Sequence, residues 1–166
     1  MKLIDISTPK YPNTFTMVDD EDFDFLNQWK WTATKRVYVI RMDYSNRKRI
    51  KLFIHREILK PQVGEIIDHI NGNRLDNRRV NIRVCSYSEN MWNKIKPRNG
   101  KTSKYKGVSF DAHAKLFRAK INVKRIPISL GYFKTELDAA MAYNAAAFKY
   151  HGEFAAINSL PGSHPT

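Results

Sequence analysis

The segment DHINGNRLDNRRVNIRVCSYSEN, residues 68–90, decides how the N-terminal half of this chain is interpreted. Strand-forming residues at Glu65–Ile67 lead into it, and Asn71-Gly72-Asn73 is a turn signal. A return strand is predicted over Val80–Val84 because apolar residues alternate there with polar ones. The segment therefore predicts two strands joined by a polar loop.

The residues able to do chemistry lie at the strand ends and in the helix that follows. Ser86 and Glu89 have capping-box spacing and predict a helix carrying Asn90. A neutral histidine, His69, is a suitable base at physiological pH, and Asp68 and Asn90 are hard oxygen donors that suit Mg²⁺ or Mn²⁺. Neighbouring strand residues point in opposite directions, so Asp68 and His69 share a site only if the strand ends there. Such a set suits hydrolysis of a phosphodiester.

A structural alternative stays open on these residues alone. His69 is then a partly buried turn histidine and Asn81 an ordinary turn residue. Spacing and composition by themselves slightly favour this alternative.

The charge of the chain narrows the class of partner. Its 166 residues hold 29 Lys/Arg and 16 Asp/Glu, a net charge of +13, and residues 30–134 alone carry +19. A basic surface of this kind favours a polyanion, most often a nucleic acid. One cysteine, Cys85, excludes an internal disulfide and a cysteine-rich zinc site. Without a long apolar stretch or secretion signal, we expect a cytoplasmic protein with no membrane partner.

Outward from the central segment, the N-terminal half contains two further elements. Val37–Met42 and Ile50–His55 are predicted to form a β-hairpin. Asp19–Trp31 mixes acidic and aromatic residues and predicts a short helix packed on that hairpin. The polar, basic stretch 94–104 contains Pro97 and Gly100 and is interpreted as a linker.

Beyond this linker, three strands and one helix are predicted. The strands are Tyr105–Phe110, Leu116–Val123 and Ile126–Phe133, and the alanine-rich helix covers residues 136–150. Along the second strand, apolar residues alternate with basic ones, so one face meets the helix and the other faces solvent. A basic sheet face can enter the DNA major groove, although an ordinary solvated face has the same pattern. The candidate DNA-binding residues are Lys106, Ser109, Arg118, Lys120, Asn122, Lys124, Arg125 and Ser129.

Residues 15–95 resemble the HNH endonucleases of phages and introns. The matching positions are Asp19–Asp22, Trp29, Trp31, His55-Arg56, Asp68-His69, Asp76–Arg79, Asn81 and Asn90. The resemblance implies that His69 is the general base, that Asp68 and Asn90 bind one divalent metal, and that Asn81 holds the loop and orients His69. The third motif position is often histidine in that family, whereas here it is Asn90. Further candidates for phosphate contact are His55, Arg56, Arg78, Arg79 and Arg83.

Residues 103–158 resemble the plant ethylene-response-factor (Apetala-type) DNA-binding domain. The matching stretches are Tyr105–Val108, Leu130–Phe133, Ala139–Asn144 and Ala155–Asn158. The resemblance implies that the sheet, not the helix, reads DNA. Plant domains commonly carry Arg or Trp where Ser109, Lys120 and Ser129 stand, so their target sequence does not transfer.

Together these observations predict an α+β protein. We expect a ββα-metal (His-Me finger) nuclease unit over 1–93, a linker over 94–104, a three-stranded antiparallel sheet packed on one helix over 105–158, and a tail over 159–166. The expected function is a homing-type or mobile-element DNA endonuclease that acts on double-stranded DNA. We expect it to be a monomer that uses Mg²⁺ or Mn²⁺, with no structural zinc and no small-molecule substrate. The alternatives are a DNA-binding regulator with an inactive nuclease half and a basic RNA-associated protein.

Overall fold

The chain divides into two compact units, residues 1–87 and residues 88–166. The computed structural model describes residues 1–35, 37–45, 48–94 and 102–161. Most of the predicted linker, residues 46 and 47 between the two predicted hairpin strands, and the end of the predicted tail therefore lie outside the described residues. None of the helices in the described part is both long and apolar enough to cross a membrane.

The first unit is built from small antiparallel sheets and short helices. Its elements in chain order are β1 (Lys2–Asp5), β2 (Phe15–Val18), α1 (Asp20–Leu26), β3 (Thr32–Ala33), β4 (Val39–Asp43), β5 (Ile50–Phe53), α2 (Ile54–Leu59), β6 (Ile66–His69) and β7 (Ile82–Cys85). The strand pairs are β1–β2 and β6–β7, and β3, β4 and β5 form one sheet in that order. The helix α3 (Tyr87–Asn93) begins at the last residue of this unit.

One apolar cluster joins these pieces. Val18 of β2, Trp31, Ile54 of α2, Ile67 of β6 and Ile82 of β7 are all buried in it. The indole Nε1 of Trp31 is also satisfied, because it donates a hydrogen bond to the carbonyl oxygen of Leu26 at 2.8 Å. The core of the first unit thus lies directly beneath the β6–β7 hairpin.

Local signals placed most of these elements correctly. The β4–β5 hairpin, the helix within 19–31 and the strand, loop, strand, helix order of residues 66–93 are confirmed. The predicted strand over Ile50–His55 is wrong at its end, because Ile54 and His55 begin α2. Its β-branched and aromatic residues favour a strand locally, but the burial of Ile54 and Ile58 on one side stabilises a helical turn.

The second unit is a three-stranded antiparallel sheet covered by one helix. Its strands are β8 (Val108–Asp111), β9 (Leu116–Val123) and β10 (Ile126–Phe133), with β9 in the centre, and α4 (Glu136–His151) packs against all three. Thr135 caps α4 by accepting a hydrogen bond from the amide of Asp138 at 3.1 Å. The bounds predicted for the second and third strands are confirmed residue for residue.

Small side chains allow α4 to lie close to the sheet. Ala139, Ala140 and Ala147 are fully buried against it, and Tyr143 fills the space beside them. Gly107 shows how tight the contact is, since a Cβ at this position would lie 1.9 Å from the Tyr143 ring and 2.7 Å from the backbone oxygen of Lys120. Its φ of +76° also favours glycine.

Replacing Gly107 by alanine is therefore expected to destabilise the second unit by about 3 kcal/mol or more, because backbone strain adds to a clash with immobile atoms. Gly152→Ala is the matched control. Gly152 has a φ of +54° but nothing within 4 Å of its would-be Cβ, so only the strain of about 1 kcal/mol is expected. Urea unfolding followed by circular dichroism measures both variants, and equal losses would contradict the close packing of Gly107.

Candidate active site

The candidate catalytic residues stand at the end of β6, where the chain leaves the sheet. In the antiparallel register, Asp68 lies opposite Arg83 and His69 opposite Ile82. Residues 70–81 then form a loop that returns to β7 and contains no helix or strand. The side chains of Asp68 and His69 are both buried. The hairpin therefore brings an acid and a histidine together at the mouth of a long polar loop.

The imidazole of His69 is held by a polar contact and by aromatic rings. Its Nε2 lies 3.2 Å from Oδ1 of Asn77. The ring of His55 packs edge-on against it with centroids 5.3 Å apart, and Tyr38 lies on another side at 6.5 Å. Burial lowers the pKa of His69 below its ordinary value, while the Asn77 hydrogen bond and the Asp68 charge oppose this shift. The neutral, basic form of the ring is thereby favoured near pH 7.

Asn77 determines which ring nitrogen of His69 carries the proton. Its amide Nδ2 donates to Oγ1 of Thr16 at 2.8 Å and to the carbonyl oxygen of Arg74 at 3.2 Å. These two bonds fix the orientation of the amide and place Oδ1 against Nε2 of His69. An amide oxygen can only accept, so Nε2 must be the donor. Nδ1 is then the basic nitrogen of the neutral ring.

This role of Asn77 was not predicted. The residue is fully buried, and its partner Thr16 is 61 positions away along the chain. The only sequence signal was its place in the Asp76–Arg79 stretch that matches the HNH family. No spacing pattern relates it to Thr16.

Asn81 closes the loop at its other end. Its Oδ1 accepts a hydrogen bond from the amide of Asn71 at 2.9 Å, and its Nδ2 donates to the carbonyl oxygen of Asp76 at 2.7 Å. Asn81 therefore joins the start of the loop to its middle. The side chain that contacts Nε2 of His69 belongs to Asn77, so the predicted orientation of His69 by Asn81 stays a prediction.

Two of the candidate phosphate-binding arginines are engaged within the protein. Arg78 makes a two-pronged pair with Asp76, with both distances at 2.7 Å. Arg79 pairs in the same way with Asp22 of α1, and its backbone amide donates to Asp19. The Arg78 pair lies within the loop, and the Arg79 contacts attach the acidic segment, residues 19–22, to the loop. Both guanidinium groups therefore have a structural function here.

His55 is also engaged within the protein, and the phosphate contact predicted for it stays a prediction. Its ring is buried between Phe53, Tyr38 and His69. Burial, together with the charges of His69 and Arg56, lowers the pKa of His55 to about 3, so the ring is neutral. A buried neutral ring does not attract phosphate, and packing against His69 is the contact that the structure shows.

The two predicted metal ligands, Asp68 and Asn90, differ in how the structure places them. Asp68 offers a nearly buried carboxylate, which pairs with Arg83 at 3.3 Å. Asn90 lies on α3 in the second unit, half-buried, so its pairing with Asp68 at one metal stays a prediction. Among the described residues, no group of three or more His, Cys, Asp and Glu side chains could hold a metal. One carboxylate and one amide oxygen still fit Mg²⁺, which keeps several waters and also binds substrate phosphate.

The helix α3 is fixed within the second unit through Trp92. The indole of Trp92 stacks on the ring of His151 with centroids 4.5 Å apart and 6° between planes. The carbonyl oxygen of Trp92 accepts hydrogen bonds from the amide of Ala156 and from the ammonium of Lys106. Burial lowers the pKa of Lys106 to about 8. Lys106 therefore holds α3 here, and the DNA contact predicted for it stays a prediction.

The remaining candidate DNA-binding residues share one exposed face of the sheet or its hairpin tip. Strand register places Ser109 and Tyr132 beside Arg118, and Ser129 beside Lys120. The alternate residues of β9 face α4, as predicted from their apolar character. Asn122 is exposed with the basic set, and Lys124 and Arg125 form the two-residue turn between β9 and β10.

This turn has an unusual backbone. Lys124 and Arg125 have φ values of +50° and +69°. Two successive positive φ angles are typical of a type I′ turn, in which Asn-Gly is preferred. Long basic side chains here cost stability, and a strained pair of cations at an exposed tip points to a function.

Comparison with known proteins finds a family match in the central segment of the chain. Residues 60–92 match the family described as HNH endonuclease. This stretch covers β6–β7 and α3 except its last residue, and it includes Asp68, His69, Asn81 and Asn90. An HNH endonuclease acts on DNA, and the match therefore supports a DNA-cleaving hydrolase. HNH nucleases generally use a divalent metal.

Two viral relatives are consistent with this class. A protein of Acanthamoeba polyphaga mimivirus, named as an uncharacterized HNH endonuclease, is 28% identical over 149 residues, covering 89% of this chain and 76% of that protein. Protein 3.8 of Escherichia phage T7 is 34% identical over 61 residues, covering 37% of this chain and 50% of that protein. No solved structure matches significantly. Nothing in these comparisons identifies residues 105–158 with the ethylene-response-factor domain.

Proposed function

We propose that the protein is a DNA endonuclease that hydrolyses phosphodiester bonds with His69 as general base. The observation that carries this proposal is the buried His69, fixed by Asn77 beside Asp68 within the segment that matches the HNH family. The basic nitrogen Nδ1 accepts a proton from the attacking water, and Nε2 keeps its proton through the hydrogen bond to Asn77. The Asp68 charge stabilises the imidazolium that forms.

Asp68 and Asn90 are the residues that would hold a divalent metal, Mg²⁺ or Mn²⁺. When bound, such an ion neutralises charge that develops on the phosphate and the leaving oxygen. In its absence, the guanidinium of Arg83 compensates the buried Asp68 carboxylate. Asn81 keeps the loop closed so that His69 stays at the end of β6.

The second unit would bind double-stranded DNA through the outer face of its sheet. Arg118, Lys120 and Asn122 are exposed on the central strand, with Ser109 and Ser129 on either side. The width of a β-ribbon fits the major groove, where amide, hydroxyl and guanidinium groups can contact base edges. The resemblance to ethylene-response factors supports this mode of DNA binding.

A DNA-binding sheet joined to a nuclease unit suits a homing-type or mobile-element endonuclease. A monomer with one active site would nick one strand.

Conversion of supercoiled plasmid to nicked circles in Mg²⁺ tests the chemistry. We expect His69→Ala to slow nicking by about 10²–10⁴-fold, because a general base contributes on that scale. EDTA should abolish nicking. His113→Ala removes an exposed histidine of the β8–β9 turn and should leave the rate unchanged. A wild-type protein that binds the plasmid but leaves it supercoiled in Mg²⁺ and in Mn²⁺ would contradict the proposal and favour the regulator alternative.

Changing Lys124-Arg125 to Asn-Gly tests the second unit, because the change should increase its stability and weaken its binding to DNA. Asn and Gly relieve the positive-φ strain, so the free energy of unfolding should increase by about 1–2 kcal/mol. The melting temperature should rise accordingly. The same change removes two cations from the tip, so duplex DNA should bind more weakly, by about tenfold in Kd at low salt. Ala112→Gly, an exposed position in the β8–β9 turn, is the control for the binding assay. Unchanged DNA affinity in the Asn-Gly variant would show that the tip does not contact DNA.

A further inference from the structure

A groove of about 430 Å³ opens between β5 and α2 of the first unit. Three cations line it: Lys51 of β5, Arg56 of α2 and Lys60 at the C-terminal end of α2. Lys51 and Lys60 are exposed, and Arg56 is partly exposed. Both elements that line the groove therefore contribute cations to it.

The one acidic residue lining the groove is already compensated. Glu57 pairs with Arg41 at 3.5 Å, and the Arg41 guanidinium is itself held over the ring of Trp29 at 4.4 Å. Because Arg41 balances Glu57, the charges of Lys51, Arg56 and Lys60 are left to act on solvent or on a ligand.

Apolar side chains also line the groove, namely Leu52, Phe53 and Pro61. A lining that combines cationic and apolar side chains suits the sugar–phosphate backbone, in which deoxyribose rings alternate with anionic phosphates. The groove also follows directly on the basic residues Lys48 and Arg49 that precede β5.

The wall of the groove is attached to the strand that carries the candidate catalytic residues. Arg56 donates a hydrogen bond to the carbonyl oxygen of Glu65 at 3.3 Å, immediately before β6. The opposite side of α2 is buried and places His55 against His69. One short helix thus separates the groove from the His69 ring.

We propose that this groove binds the sugar–phosphate backbone of the DNA substrate and gives the nuclease unit its own DNA contact, independent of the sheet in the second unit. The proposal rests on the function proposed above, since it takes DNA as the ligand. The groove is a positioning surface, because its cations lie outside the shell of residues that contact His69.

The salt dependence of DNA binding tests this proposal in the full chain. Each phosphate contact contributes about 0.9 to the slope of log K against log salt. With duplex DNA in EDTA, Lys51→Gln/Lys60→Gln should lower the magnitude of this slope by about 1.8 and weaken binding at low salt by tenfold or more. Lys51→Arg/Lys60→Arg should keep the wild-type slope.

The matched control is Lys2→Gln/Lys10→Gln, which removes the same charge from the first unit at two exposed lysines outside the groove. Equal slopes for the groove variant and this control would overturn the proposal. Nicking by the wild-type protein at saturating DNA in Mg²⁺ reports on the chemistry separately from these slopes. The two proposals fail separately: equal slopes with intact nicking disprove the groove alone, whereas a wild type that never nicks disproves the nuclease function whatever the slopes are.

Discussion

The first unit depends on one buried hydrogen-bonded cluster, in which Asn77 links Thr16, Arg74 and His69. The loop over residues 70–81 has no ladder of its own, so its buried polar groups need partners elsewhere. A buried donor or acceptor left without a partner costs about 1–3 kcal/mol. Asn77 satisfies three groups at once and sets the proton position on His69. Without it, the histidine would be a buried ring with an undefined tautomer.

The N-terminal hairpin extends this cluster along the backbone. Met17 of β2 donates to the carbonyl oxygen of Leu75, and its own carbonyl accepts from the amide of Asn77, both at 2.8 Å. Thr16 adds a side-chain bond to the same Leu75 oxygen. The first strands of the chain thus clamp a loop some 60 residues later.

The acidic segment supports the same loop. Asp22 and Glu21 meet Arg79 at 2.7 Å, and Asp19 accepts from its backbone amide. Partly exposed pairs of this kind are individually weak, but the two-pronged geometry fixes the direction of Arg79. The acids are therefore part of the support for the loop, which explains why a basic protein carries them.

Sequence was sufficient where the signal is local. Alternation along β9, the Thr135 cap and the turn residues after His69 each involve neighbours within a few positions, and the corresponding elements were predicted closely. Asp68 and His69 were found as candidates from their place before a turn and from a family resemblance. The catalytic roles proposed for them rest on that resemblance and on the burial that lowers the pKa of His69.

The sequence was not sufficient to predict the elements and contacts that depend on tertiary packing. The β1–β2 hairpin was missed because a nine-residue connection interrupts it and no tight-turn signal marks it. Ile54 and His55 have strand-like neighbours, yet they turn into α2 because the core needs Ile54 and Ile58 on one side. The contact between Thr16 and Asn77 could not be found, since no local pattern reports a pair 61 residues apart. The contact between Lys106 and Trp92 was missed for the same reason, since the two residues stand on either side of the predicted linker in the sequence.

The dependence of catalysis on this cluster can be measured at Thr16, far from the catalytic residues in sequence. Thr16→Val keeps the shape of the side chain and removes the oxygen that accepts from Asn77, whereas Thr16→Ser keeps the oxygen. Single-turnover nicking at saturating DNA should fall about tenfold in Thr16→Val, corresponding to about 1.4 kcal/mol of transition-state stabilisation, with little change in Thr16→Ser or in DNA affinity. A Thr16→Val protein that nicks at the wild-type rate would show that the Asn77 cluster does not position His69.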